Sequence, residues 1–239
     1  MFKMKISIIT PTLNEALRIA NHVDYLIKHG GDSIAEIIIA DAESPDNTAK
    51  IAQSHGAKVI SVLKCCRANQ MNRAAEIATG DILFFVHADT VPPPTFVEDI
   101  KKSLEEGYET GCFRVKFDMD NRGLNFNAYM SRFKPICFRG GDQTLYVTRT
   151  AFDKIGGFDE KFIMMEDYDI ILRLKNYVKL KIMETEVLVS ARKVRENGKY
   201  FQTNFTNLLV FCMFFLGFSQ ETMIKTYHRF VPNSKYKLN

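Results

Sequence analysis

Two hydrophobic rhythms alternate along the first part of the chain. Lys5 to Thr10 is a short run rich in β-branched residues, and Ala35 to Ala40, Lys58 to Leu63 and Asp81 to Val86 repeat it. Between these runs, Leu17 to Lys28, Pro45 to about His55 and Arg67 to Ala78 carry apolar residues at helical spacing. Strands that are apolar on both faces and separated by helices pair in parallel, because helices on both sides are needed to bury both faces. Residues 1 to about 90 are therefore predicted to form a βαβαβαβ half on an open, doubly wound sheet.

Pro92-Pro93-Pro94 marks a change, since consecutive prolines neither continue a helix nor join a sheet interior. A helix over Thr95 to Glu106 is followed by shorter strands at Gly111 to Phe117, Gln143 to Thr148 and Val178 to Met183, mixed with helices. The expected fold class is α/β, a doubly wound, mostly parallel mixed sheet with helices on both faces. It occupies residues 1–190, divided near residue 90, and a C-terminal helical appendage takes up 191–239. Residues 196 to 230 read as two helices, the first bearing the apolar stripe Leu208 to Phe218.

Composition narrows the class. The 239 residues are 46% apolar and 25% charged, an ordinary globular mix with enough apolar material for a core without disulfides. The net charge of +4 is uneven: from residue 190 onward eight Lys/Arg stand against two Asp/Glu. The remainder is slightly acidic, which argues against a nucleic-acid partner. Five cysteines with no Cys-x-x-Cys spacing argue against a disulfide framework or zinc cage and for a reducing compartment. Cys65-Cys66 reads as packing or loop. Met1 to Lys5 leads into a strand rather than a signal-peptide core. Leu208 to Phe218 falls well short of the ~20 residues of a spanning helix. The expected location is cytoplasmic, with membrane contact confined to the surface at its inner face.

In open α/β sheets, ligands bind at the carboxyl ends of the strands. Those ends carry Thr10 to Glu15, then Asp41, then His87-Ala88-Asp89. A dinucleotide site wants Gly-x-Gly-x-x-Gly in the first turn, yet no glycine precedes Gly30, and no Gly-Lys-Ser/Thr loop occurs. Rossmann dehydrogenases and P-loop NTPases are excluded, and a bound diphosphate needs other neutralisation, a divalent cation being the usual one. His87 and Asp89, two apart in an extended segment, would face one ligand together. A carboxylate completed by water and phosphate oxygens suits Mg²⁺ or Mn²⁺; the plainer reading is that Asp89 caps the turn before the prolines.

Several short motifs now stand in order: Pro11-x-Leu13-Asn14-Glu15, Asp41-x-x-Ser44-x-Asp46-x-Thr48, Arg67-Ala68-x-Gln70-Met71-Asn72, and Thr79-Gly80-Asp81 leading to Ala88-Asp89. Downstream come Gly156-Gly157-Phe158, then Met165-Glu166-Asp167 and Arg173. Over roughly residues 5 to 175 the chain resembles a family 2 glycosyltransferase with the GT-A fold. Arg67 to Asn72, Gly141-Asp142-Gln143 and Ser190-Ala191-Arg192 resemble a bacterial subgroup of that family.

The resemblance implies a nucleotide-binding half at 1–90 and an acceptor half at 91–190. Pro11, Glu15 and Asp41 would hold base and ribose, and Arg67 would lie along the nucleotide. Asp89, the last member of an Asp-x-Asp motif, would hold the cation (Mn²⁺ or Mg²⁺). Asp167 would be the catalytic base of an inverting transfer, with Glu166 the alternative; an N-terminal cap for the helix Tyr168 to Lys175 is the structural reading of that pair. Gly141, Asp142 and Gln143 would meet the acceptor or form a tight turn.

Two departures matter: His87 replaces the first Asp of Asp-x-Asp, as either a metal ligand or a ribose contact, and Ser190-Ala191-Arg192 stands where many members place a late metal-binding histidine. Arg192 would then contact the diphosphate directly, and His228, the one later histidine, reads as a surface residue. The implied partners are a nucleotide-sugar donor, most simply a UDP-sugar, and a saccharide or lipid-linked acceptor. A polyprenyl-phosphate sugar synthase and a non-catalytic sugar-nucleotide-binding protein are the alternatives. The apolar stretch over 205–230 would pack on the domain, pair two subunits or rest on a membrane.

Overall fold

The computed structural model describes residues 4–63, 66–192 and 200–231; Cys65, Lys193, Arg195 and Lys199 lie outside them. The first half builds β1 (Ile6–Thr12), α1 (Ala16–Gly30), β2 (Ile34–Asp41), α2 (Thr48–Ser54), β3 (Lys58–Ser61), α3 (Arg67–Ile77) and β4 (Ile82–Phe85). All pairings among these four strands are parallel, as their two-faced apolar character requires. Because side chains alternate along a strand, Ile6 and Ile8 of β1 enter one core with Ile19, Val23 and Leu26 of α1. Ile9 enters the other, with Ala68, Met71 and Ala74 of α3. Burying each isoleucine, valine, leucine or methionine among them contributes about 1.5–3 kcal/mol.

The second half adds β5 (Thr90–Val91), α4 (Phe96–Glu105), β6 (Thr110–Phe117), α5 (Arg122–Met130), β7 (Leu145–Thr148), α6 (Arg149–Lys154), α7 (Glu166–Lys175) and β8 (Leu180–Val189). The described strands form one eight-stranded sheet in the order β3-β2-β1-β4-β7-β6-β8-β5. β7 runs antiparallel to β4 and β6, and β6 runs parallel to β8. The predicted mixed sheet is present, with changed boundaries. The strand expected from Gln143 begins at Leu145, because Gly141–Gln143 closes a 3-10 turn and Thr144 takes a left-handed backbone at φ +61°. The strand expected over Val178–Met183 runs to Val189, held by its pairing with β6.

Two attachments shape the rim at the strand ends. The two-residue β5 pairs antiparallel with the end of β8, Thr90 beside Val189, which fastens the chain after β4 to the chain after β8. The helices α8 (Tyr200–Phe215) and α9 (Gln220–Phe230) pack together through Val210, Met213, Met223 and Ile224, with Met164 from the loop before α7. Gln220 Oε1 accepts from the backbone N–H of Ile163 and of Met164, both at 3.0 Å, so this pair is anchored beside the start of α7. Phe205, Leu208, Phe215 and Leu216 remain exposed. Among the described residues, no helix is long and apolar enough to cross a membrane.

Candidate active site

The loops leaving the strand ends enclose two adjoining clefts. The first, of about 300 Å³, lies between Pro11–Glu15, the His87–Asp89 segment and Arg192. The second, of about 280 Å³, passes Gly140 and Asp167 and runs on to α8 and α9. Arg67, Asp89 and Asp142 line both, so the clefts meet at those side chains.

The first wall is the β1–α1 turn. Asn14 adopts φ +57° and donates its backbone N–H to Ser44 Oγ at 2.8 Å. The N–H groups of Glu15 and Ala16 donate to Thr48 Oγ1 at 2.9 Å and Asp46 Oδ2 at 3.0 Å. Burial alone would raise the Asp46 carboxyl, but hydrogen bonds from Thr48 and Ala16 outweigh it and hold the group below the usual carboxylate range. The amides that a glycine-rich fold offers to phosphate at this helix start are thus taken by the protein's own side chains. A diphosphate here must be met by side chains or a cation.

Asp41 does not line either cleft. It is 2% exposed, its Oδ1 accepts from Thr12 Oγ1 at 2.8 Å and Ser44 Oγ at 2.6 Å, and its Oδ2 accepts from Ser44 N–H at 2.7 Å. It fixes the turn that fixes Asn14. Glu15, in contrast, does line the cleft. Its carboxylate meets Arg18 at 3.2 Å and Arg192 at 3.7 Å.

The second wall is the start of α3. Arg67 Nε lies 2.9 Å from Glu166 Oε1, and Glu166 is 2% exposed with its Oε2 buried and without a hydrogen-bond partner. Glu166 therefore holds Arg67 and lines neither of these two clefts; with Asp167 and His87 it lines a small third cavity of about 30 Å³. One turn on, Gln70 donates to the backbone carbonyls of Thr12 at 2.9 Å and Ala40 at 2.7 Å, tying together the ends of β1 and β2.

The third wall is His87-Ala88-Asp89, which is a turn rather than the extended segment expected: Thr90 N–H donates to His87 carbonyl at 3.0 Å. Both side chains nonetheless line the first cleft. The β5–β8 pairing continues as Ser190 N–H donating to Asp89 carbonyl at 3.0 Å, and Ala191 N–H donating to Asp118 Oδ1 at 2.7 Å. Arg192 is thereby carried to the same cleft. Beneath this wall, burial pushes the His22 imidazole down to about 4, although the Asp89 charge pulls the other way; His22 Nε2 lies 3.0 Å from Thr10 Oγ1.

The second cleft holds Asp167. Helix α7 begins at Glu166, two residues before the expected start, so Asp167 stands in its first turn, where the helix dipole favours negative charge. Its Oδ1 accepts from the Tyr168 N–H at 2.9 Å. Gly140 lies against it: a Cβ there would come within 3.8 Å of Asp167 Oδ2. Of the expected acceptor turn, only Asp142 reaches the clefts. Gly141 supplies backbone, and Gln143 is buried, donating to Phe138 carbonyl at 2.6 Å. Beneath the turn, Arg139 is 1% exposed and donates to Ser131 carbonyl, Phe133 carbonyl and Cys112 Sγ. Sequence reasoning missed it, since a lone arginine in an aperiodic stretch carries no signal. It also missed Asn127, Asn204, Asn207 and Tyr227, which line the second cleft; His228 lines neither cleft.

Among the described residues, no three His, Cys, Asp or Glu groups gather into a metal cage. One carboxylate, Asp89, with His87 beside it at the first cleft, suits a Mg²⁺ or Mn²⁺ ion whose remaining ligands are phosphate and water, so the donor set fits a cation carried in with a diphosphate.

Comparison with known proteins adds three findings. The profile described as "Glycosyl transferase family 2" matches residues 7–164, and "Glycosyltransferase like family 2" matches residues 123–236. The succinoglycan biosynthesis protein ExoA of Rhizobium meliloti is 27% identical over 194 residues, covering 70% of this chain; the chain spans 57% of that relative's length. Among solved structures, S. aureus TarS 1-349 in complex with UDP-GlcNAc matches with TM-score 0.66 at 17% identity, over 95% of this chain and 72% of that one. Glucosyl-3-phosphoglycerate synthase from Mycobacterium tuberculosis, in complex with Mn²⁺, UDP-glucose and phosphoglyceric acid, matches with TM-score 0.62 at 17% identity, over 86% and 79% of the two chains. These structures share the fold.

Proposed function

The chain belongs to glycosyl transferase family 2, and from that premise we propose that it is an inverting transferase moving a sugar from a UDP-sugar to a hydroxyl acceptor. Within the family we place it in the bacterial subgroup marked by Arg67–Asn72 and Gly141–Gln143. The observation that carries the reading is the meeting of two clefts at Arg67, Asp89 and Asp142, with Asp167 opening onto the second. The first cleft is the donor site: Pro11 and Glu15 lie at the nucleoside end, Arg67 and Arg192 beside the diphosphate. The structural neighbours solved with UDP-GlcNAc and with Mn²⁺ and UDP-glucose support the choice of donor.

Asp89, with His87, would hold a divalent cation, which supplies charge neutralisation on the departing diphosphate. Asp167 accepts the proton of the acceptor hydroxyl as its oxygen attacks the anomeric carbon and the bond to the diphosphate breaks. One base opposite one leaving group gives inversion. Arg67 and Arg192 stabilise the charge gathering on the phosphate oxygens, a contribution of roughly 2–4 kcal/mol per well-placed donor.

Calorimetric titration with UDP tests the donor site. We expect binding with Mn²⁺ or Mg²⁺ and a large loss of affinity in EDTA and in Asp89→Ala; equal affinity in all three refutes the assignment. A second reading, transfer to a polyprenyl phosphate, draws support from the exposed Phe205, Leu208, Phe215 and Leu216 on and just beyond α8, a surface on which membrane or a second copy of the chain would sit.

A further inference from the structure

Helix α8 has three faces. Thr206, Val210 and Met213 are buried, and Phe205, Leu208 and Phe215 face outward. The third face, Thr203, Asn204 and Asn207 at one-turn spacing, lines the second cleft. Asn127 of α5 comes from the opposite side and donates to Asn204 Oδ1 at 2.9 Å, so three carboxamides gather at the end of the cleft beyond Asp167.

Taking the second cleft as the acceptor site of the proposed transferase, we propose that Asn127, Asn204 and Asn207 form a subsite for a neutral saccharide. A carboxamide both donates and accepts hydrogen bonds, matching hydroxyls that do the same. The charge of the cleft points the same way. Besides Asp89, assigned to the cation, its described lining contains Asp142 and Asp167, and its one described base, Arg67, already meets Glu166 and faces the donor's diphosphate. Among the described residues, a phosphorylated acceptor would meet Asp142 and Asp167 and no base beyond Arg67. Tyr168 lines the same cleft, its ring packed on Phe211 at 5.2 Å between centroids. Its phenol, neutral at working pH, offers a hydroxyl and an aromatic ring to a sugar. The appendage thus becomes the specificity wall of the site.

Ligand-observed NMR with UDP and Mn²⁺ present tests this, using methyl glucoside, methyl galactoside, cellobiose and lactose as neutral probes and glucose 6-phosphate and a short-chain polyprenyl phosphate as charged ones. We expect at least one neutral probe to bind, and Asn204→Ala and Asn207→Ala each to weaken it tenfold or more. UDP affinity, measured in the same samples, should stay within twofold as the check on folding, and Asn207→Gln should recover part of the loss. Tighter binding of a phosphorylated probe, absence of binding by every neutral probe, or alanine variants that bind like the parent overturn the proposal. If UDP-sugars are cleaved but neutral saccharides do not bind, the subsite fails and the transferase reading stands. If saccharides bind through Asn207 but UDP-sugars are neither bound nor cleaved, the reverse holds.

Discussion

Glu166 and Asp167 are adjacent carboxylates with divergent surroundings: Glu166 is buried against Arg67, and Asp167 opens onto the second cleft. Replacing Glu166 with Leu removes the buried carboxylate that meets Arg67 at the junction of the clefts, so urea unfolding should show a loss of roughly 1.5–3 kcal/mol. Asp167→Asn should lie within about 0.5 kcal/mol of the parent. His22 sets a pH dependence. Its imidazole stays neutral in the fold down to about pH 4, whereas the unfolded chain takes up that proton near the ordinary value of about 6.5. The stabilisation is complete above pH 6.5 and is lost as pH falls toward 4, by up to roughly 3 kcal/mol. Unfolding midpoints between pH 4.5 and 7 should flatten in His22→Asn; an unchanged slope contradicts the assignment. Single residues were only partly legible. Asp41 and Gln70 stand at strand and helix ends as ligands do, but the Asp41 carboxylate is spent on Thr12 and Ser44 and the Gln70 amide nitrogen on the Thr12 and Ala40 carbonyls. Nothing local in the sequence reveals that these partners fold back onto them.

At the scale of elements, β1 to β4 were legible because continuous β-branched runs between helices admit few other structures. Helix α5 was not, since Arg122–Met130 has a weak apolar rhythm and owes its start to Asn121, whose side chain accepts from the N–H groups of Gly123 and Leu124. The two residues of β5 were not legible either, yet they fasten the His87–Asp89 turn to Ser190 and Arg192. Within the Arg67–Asn72 stretch, Arg67 and Gln70 line the first cleft, and Asn72 works within the fold. Asn72 donates to Phe158 carbonyl at 2.9 Å and accepts from Phe158 N–H at 2.9 Å. Gly157, at φ +70°, lets that loop close: a Cβ would stand 2.8 Å from Asn72 Oδ1 and 3.1 Å from the Phe152 ring. Gly157→Ala should therefore cost roughly 2 kcal/mol in chemical denaturation, and a neutral result means the loop repacks.

At the scale of the whole molecule, the base-rich end and the slightly acidic body meet where Arg192 comes within 3.7 Å of Glu15 across the first cleft. The sequence indicated that strand ends would gather acidic groups on one rim. It did not indicate that the rim divides into two clefts, because the division depends on Asp142 and on helices whose docking runs through Gln220 and Met164. If the first cleft is the donor site, UDP at 100 times its dissociation constant should stabilise the folded protein by about 2.7 kcal/mol, with the metal present. In the proposed mechanism Asp167 removes a proton beside a sugar held across the junction of the clefts. The sharpest test is the rate of UDP release from UDP-glucose, UDP-galactose and UDP-N-acetylglucosamine with Mn²⁺ and the neutral saccharides above as acceptors, water taking the sugar where none binds, comparing the parent with Asp167→Asn at matched UDP affinity. We expect release from at least one donor, slowed roughly 10²–10⁴-fold in the variant; equal rates in the two proteins, or no release with any pairing of a bound donor and acceptor, refute the assignment of Asp167.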